Sequence, residues 1–209
     1  PAGTGKTTAM RPGVARLHAE GRVCFGVAPS AAAAEVLAVD TGIDADTIRR
    51  GVATFVNDAA TAPGRFNVFD YKGATLIADY GHNPDAILAL AQAIESMPAR
   101  ERSVVISGAG DRRDEDIREQ TRILGKIFDG VVLYQDECQR GRSDGEVLAL
   151  LQQGLVGAPR TRDVCEIHGE FLAIDTALAK LQPGDLCLIL IDQVEEALDH
   201  IARRIAEAG

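Results

Sequence analysis

From Ser103 to the end of the chain, short apolar runs alternate with longer amphipathic ones, and this rhythm restricts the possible folds most strongly. Ser103–Ser107, Gly130–Tyr134, Asp163–Ile167 and Leu186–Ile191 have the length and apolar content of buried strands. Helices are predicted over Glu115–Phe128, Asp144–Gly154, Glu170–Leu181 and Val194–Ala208. Strands without polar alternation are covered on both faces, which calls for a parallel sheet between layers of helices. Upstream, Phe66–Tyr71 and Ala74–Tyr80 flank Lys72-Gly73, a hairpin signal. Ile87, Leu90, Ala91, Ile94 and Met97 then recur at helical spacing. The predicted class is α/β: a mostly parallel sheet opened by a β-hairpin, with helices on both faces. No internal repeat or low-complexity linker interrupts it.

Open α/β sheets bind their ligands outside the carboxyl ends of the strands. The polar residues at those ends are therefore the candidates: Asp79-Tyr80-Gly81-His82-Asn83-Pro84-Asp85, Gly108–Arg113, Gln135-Asp136, His168 and Asp192-Gln193. Pro84 suits the first turn of a helix, where its missing N–H would be unpaired anyway. Gly108-Ala109-Gly110 reads equally well as a close strand-to-helix turn. His18 and His200 fall on predicted helices and are expected to face solvent, whereas His168 stays open between site and surface. Ser107 lacks a G-x-S-x-G context, no catalytic triad is evident, and the histidines are too scattered for a metal site.

A formal net charge of -9 argues against a non-specific nucleic-acid surface. It leaves room for a local phosphate pocket, for which Arg112, Arg113, Arg140 and Arg142 are available. Cys24, Cys138, Cys165 and Cys187 form no C-x-x-C pair and are expected as free thiols of a reducing, cytoplasmic compartment. No apolar run reaches the roughly 18 residues of a membrane span. The chain opens on Pro1 rather than methionine and is read as a fragment.

A separate signal stands at the N-terminus. Pro1-Ala2-Gly3-Thr4-Gly5-Lys6-Thr7-Thr8 fits G-x-x-x-x-G-K-[ST] except for the first glycine. Lys6 would reach terminal phosphates and Thr7 would hold Mg²⁺. A helix to about Glu20, a strand at Val23–Val27 and an alanine-rich helix to Val39 are predicted to follow. Lacking a preceding strand and an acidic Mg²⁺ partner, residues 1–48 are expected to be a truncated P-loop fragment, inert as an NTPase. Residues 49–209 form the α/β domain.

Several separated motifs carry a resemblance. Ala62-Pro63-Gly64-Arg65-Phe66, Ile77 to Asp85, Ser107 to Arg113, and Tyr134-Gln135-Asp136 with Gln139-Arg140-Gly141-Arg142 resemble the C-terminal domain of Mur-type amide ligases, nearest the cyanophycin synthetases. The resemblance covers about residues 50–209 and implies a Rossmann-like domain that closes over a central ATPase domain. It implies a two-step reaction: ATP phosphorylates a carboxylate, and an amine displaces phosphate from the acyl phosphate. The amine would be arginine and the acceptor an aspartate-containing peptide. Arg65 and His82 would be catalytic, with Arg65 at the ATP phosphates, Asp79 at the ribose hydroxyls and Asn83 beside them. Asp111, Arg112 and Arg113 would contact the amino acid. Without the central domain the chain is expected to be inactive alone. Residues 1–45, including Val27-Ala28-Pro29-Ser30-Ala31-Ala32, instead resemble the start of the helicase half of conjugative relaxases, so a chimera joined near 42–51 is expected. A nucleic-acid motor fragment and a non-catalytic nucleotide- or amino-acid-binding module remain as alternatives; the oligomeric state is open.

Overall fold

The computed structural model describes residues 6–20, 39, 41, 58–136 and 140–208, with side chains from residue 11 onward. The chain divides into two compact units, Pro1–Val56 and Asn57–Gly209. In the first, α1 (Lys6–Ala19) forms where a helix is predicted and buries Val14. Gly3, Gly5, the strand expected at 23–27 and nearly all of the alanine-rich helix lie outside the described residues, as do the side chains of Lys6 and Thr7.

The second unit carries β1 (Asn67–Tyr71), β2 (Ala74–Asp79), α2 (Pro84–Glu95), β3 (Arg102–Ile106), α3 (Asp114–Leu124) and β4 (Gly130–Gln135). It continues with α4 (Glu146–Leu155), β5 (Asp163–His168), α5 (Glu170–Lys180), β6 (Leu186–Leu190) and α6 (Val194–Ala208). The strands form one six-stranded sheet in the order β1-β2-β6-β3-β4-β5. The β1–β2 hairpin is antiparallel and every other pairing is parallel. The chain therefore steps outward from β2 through β3 and β4 to β5, then returns to seat β6 between β2 and β3. Right-handed crossovers put outward and returning helices on opposite faces. The apolar clusters agree. Ile87, Ile94, Ile117, Leu124, Val147 and Leu151 cover one face; Ala173, Ile174, Leu178, Ala197 and Ile201 cover the other. No helix among the described residues is long and apolar enough to cross a membrane.

His200 departs from expectation. Its side chain is only 13% exposed, its Nε2 lies 2.8 Å from Asp175 Oδ1, and its ring stacks on Phe171 at 5.1 Å. The buried stripe of α6, Ala197, Leu198 and Ile201, turns this helix flank toward α5, which carries the acidic partner. His18 is exposed as expected. Cys165 and Cys187 are free thiols, and burial pushes Cys187 up to about 11; Cys24 and Cys138 lie outside the described residues.

Asp175 also binds Arg204, with Nε at 2.7 Å. The Arg204 hydrogen bonds hold its carboxyl below the ordinary 3.8, against the upward pull of burial and with help from His200. A depressed folded-state value means that the stabilisation is present above 3.8 and lost as pH falls through the lower folded value. Asp175→Asn should therefore flatten the acid limb of stability below about pH 5, removing roughly 1 kcal/mol or less because the pair is part-exposed. Urea midpoints across that range check this, and equal acid losses in both proteins would discard it.

Candidate functional site

The carboxyl ends of β2, β6, β3 and β4 converge where the strand order reverses, the expected ligand position in an open α/β sheet. At the end of β2, Asp79 is buried and its Oδ2 accepts the Phe66 N–H at 2.8 Å. Phe66 has a left-handed backbone (φ 50), which a bulky residue adopts only when surrounding contacts hold it. Asn67 adds to the hold, accepting from Gly64 N at 2.7 Å and donating to Ala62 O at 2.9 Å. The Pro63-Gly64-Arg65 loop is thus strapped to the end of β2. Arg65 is exposed at its tip, with Cζ 5.9 Å from the Tyr80 ring centroid. Burial raises the Asp79 carboxyl above its ordinary value, opposed by the Phe66 N–H and by the charge of Arg65.

Asp79 does not cap the next helix. That role belongs to Asn83, whose Oδ1 accepts from Ala86 N at 2.8 Å before Pro84 opens α2. His82 lies between them, its side chain 16% exposed and its ring packed edge-on to Tyr80 at 3.9 Å. Its carbonyl accepts from Gln120 Nε2 at 3.0 Å. His82 Nε2 is buried with no hydrogen-bond partner among the described residues, 3.6 Å from Asp192 Oδ1. Burial lowers the imidazole below the ordinary value of 6.5; Asp192 pulls it upward, while Arg140, Arg112 and Arg65 push it down. Burial thus favours the uncharged ring.

His82, Ser107, Gly108, Ala109, Gln135, Asp136, Arg140, Val147 and Asp192 line one cleft. Gly108 is needed as glycine, because a Cβ there would come within 2.7 Å of Val147 Cγ1. Gln193 Nε2 donates to Asp136 Oδ2 at 2.9 Å across the rim. The arginines proposed as a phosphate pocket are mostly engaged by the protein itself. Arg142 donates to Gly110 O at 2.7 Å and Arg112 O at 2.6 Å and pairs with Asp114 and Glu146. Arg140 pairs with Asp111 at 3.1 Å, and Arg113 with Asp116 at 2.7 Å.

The structure thus gathers His82, Asp136, Arg140 and Asp192, with Arg65 on the adjoining loop beside Tyr80. It leaves His168 exposed on edge strand β5, away from the cleft lining. Two supporting residues escaped the sequence reading. Gln120 is buried in the middle of α3, where nothing distinguishes it from a surface glutamine. Glu170 opens α5 after Gly169, a place where an acidic residue ordinarily serves the helix dipole. Here it is 1% exposed and accepts from Asp192 N and Gln193 N at 2.8 and 3.0 Å.

Residues 64–190 match the family model described as Mur ligase, glutamate ligase domain. The chain is 36% identical over 174 residues to a cyanophycin synthetase of Geminocystis herdmanii (strain PCC 6308), covering 83% of this chain and 20% of that protein. It is 34% identical over 183 residues to the cyanophycin synthetase of Crocosphaera subtropica (strain ATCC 51142 / BH68), covering 86% and 21%. The chain spans about a fifth of the length of these curated relatives. The longer stretch exceeds residues 49–209, so the likeness extends into the segment read as a separate P-loop fragment. These matches give the relaxase-like reading no support. Among solved structures, E. coli FolC in complex with ADP, without folate substrate, superposes with a TM-score of 0.64 at 24% identity, covering 88% of this chain and 41% of that one. A UDP-N-acetylmuramoyl-L-alanyl-D-glutamate--2,6-diaminopimelate ligase gives 0.57 at 22% identity, over 81% and 37%. Both share the mostly parallel α/β fold.

Proposed function

The chain belongs to the Mur ligase family through its glutamate ligase domain, and from that premise we propose that it is the closing, amino-acid-binding domain of an ATP-dependent amide ligase of the cyanophycin synthetase type. The observation that carries this reading is the cleft at the strand reversal, where a histidine whose buried Nε2 has no hydrogen-bond partner among the described residues faces carboxylates and a guanidinium group. In the proposed reaction a carboxylate oxygen of an aspartate-containing peptide attacks the γ-phosphorus of ATP, and the bond to ADP breaks. The incoming amine then attacks the acyl carbon, phosphate leaves, and one proton is released.

Arg65, exposed and paired with no carboxylate of the described residues, is suited to the phosphates, where it would offset the charge that develops in transfer. Asp79 would hold the Arg65 loop as well as meet the ribose. Asn83 fixes the turn. His82 would offer Nε2 to the incoming amine, and Asp136 and Asp192 on the rim complement a guanidinium side chain, which favours arginine. Asp111, Arg112 and Arg113 are all exposed, and Arg112, which forms no ion pair among the described residues, would be the one to meet the amino acid's carboxylate. Mg²⁺ is expected to arrive with ATP, held mainly by phosphate oxygens and water with at most one or two carboxylates. The central ATPase domain and the acyl-accepting peptide would come from the rest of a longer synthetase, and the chain alone is expected to be catalytically silent.

Calorimetry of the chain with ATP and with L-arginine tests the assignment. Binding of ATP should weaken at least about tenfold on Arg65→Ala, a loss of about 1.4 kcal/mol, and be unchanged on Lys6→Ala. ATP binding abolished by Lys6→Ala and untouched by Arg65→Ala would move the nucleotide to the N-terminal unit and sink the reading.

A further inference from the structure

The loop between β6 and α6 carries Asp192, which lines the cleft, and next to it Gln193, which bonds the cleft residue Asp136. Both backbone N–H groups of that pair end on a single carboxylate, Glu170, which lies on α5 across the sheet's second face. Each carboxylate oxygen takes one N–H, and the residue is 1% exposed. Beside it, the buried Tyr134 hydroxyl donates to Leu190 O at 3.1 Å, fastening the strand end from which the loop leaves. On the cleft side, Asp192 stands 3.6 Å from His82 Nε2 and Gln193 holds Asp136. A buried acid that served only as a helix-dipole partner would not need both oxygens on another element. A cap serving α6 alone would not place its two donors on the two residues whose side chains line the cleft and its rim.

We propose that Glu170 is a positioning residue: it fixes the Asp192-Gln193 turn and thereby sets Asp192 against His82 and Gln193 against Asp136. The cleft geometry is then built from the opposite face of the sheet, through one carboxylate. The bearing of this on amino-acid selection rests on the function proposed above, whereas the link between Glu170 and His82 does not.

The test reads the titration of the His82 imidazole by NMR in the full chain. The charges facing this ring are Asp192 from the β6–α6 loop, Arg140 from the segment after β4, Arg112 before α3 and Arg65 before β1, with Tyr80 against its face. Asp192→Asn should lower the His82 midpoint, because it removes the charge that raises it. In a Glu170→Ala background the same Asp192→Asn change should shift the midpoint by less than about a third as much, since the turn no longer holds Asp192 in place. Glu170→Gln keeps the volume but only one carbonyl acceptor, and should leave an intermediate coupling; it also serves should the alanine variant fail to fold. Loss of melting temperature alone would follow from removing any buried cap and would not reproduce this pattern. An undiminished effect of Asp192→Asn in both Glu170 backgrounds overturns the proposal, as does a His82 midpoint that ignores Asp192→Asn in the wild type. Absence of L-arginine binding by the wild-type chain would count against the proposed function and leave this titration result standing.

Discussion

Gly154→Ala is expected to cost about 3 kcal/mol of stability, although it adds a single methyl group. A Cβ at this position would lie 2.1 Å from both the Arg118 carbonyl oxygen and Thr121 Oγ1. Neither neighbour can yield cheaply. The carbonyl belongs to the backbone of α3, and the Thr121 hydroxyl is fixed by a 2.7 Å bond to Leu151 O within the same crossing. The methyl group therefore pushes α3 and α4 apart as bodies. Their facing side chains Ile117, Leu124, Val147 and Leu151 are among the most buried of the first apolar cluster, so the separation opens voids along the whole contact. Val147 also lines the cleft, and Gly108 packs directly against it. Loss of ligand binding should accompany the loss of stability. Urea unfolding of Gly154→Ala beside the exposed control Gln152→Ala measures the effect; two midpoints within error of each other would mean that the helices pack less closely than described.

The second large effect is expected at Asp79. Asp79→Ala removes the acceptor for the part-buried Phe66 N–H and leaves the left-handed turn held by Asn67 without its carboxylate strap. An orphaned buried donor costs about 1–3 kcal/mol, and relaxation of the turn adds to it. Asp79→Asn should behave differently, because its amide oxygen can still accept from Phe66 while the buried charge is gone. The ordering expected in thermal melts is wild type and Asp79→Asn close together, with Asp79→Ala well below. If the function proposed here holds, ATP binding should follow the same order, since the Arg65 loop is released only in the alanine variant. Parallel behaviour of Asn and Ala would show that the negative charge, and not the strap on the loop, is what matters at this position.

The alternation of apolar runs makes the parallel sheet and its two helix layers legible in the sequence, because burial on both faces leaves a strand no room for polar residues. Lys72-Gly73 marked the hairpin for an equally local reason. The order of strands was not legible. Nothing in Leu186–Leu190 says that this last strand belongs between β2 and β3, since every central strand of such a sheet has the same apolar character. At the site, His82, Asp136 and Asp192 could be named from their places at strand ends. Glu170 could not, because its partners are backbone N–H groups, which leave no trace in residue types. His200 was misplaced for a related reason: helical periodicity reports which stripe is buried, but the stripe's flank can be covered by a neighbour's acid, here Asp175. For the phosphate pocket read from Arg112, Arg113, Arg140 and Arg142, the sequence could not show pairing: acidic residues between 111 and 146 engage three of those guanidinium groups, all but Arg112.

The insertion of β6 in the middle of the sheet governs when this domain can exist at all. As the chain leaves a ribosome, β2 and β3 are made early, yet each keeps an open edge until Leu186–Leu190 arrives to join them. At about 5–20 residues per second, that gap lasts roughly 5–20 s, during which two apolar edges stay open to misplaced pairing. A nascent or truncated chain ending before residue 186 thus has its two sheet halves without the strand that unites them. Completion should be abrupt, late and complete, with protease resistance appearing only once the last strand has cleared the exit tunnel.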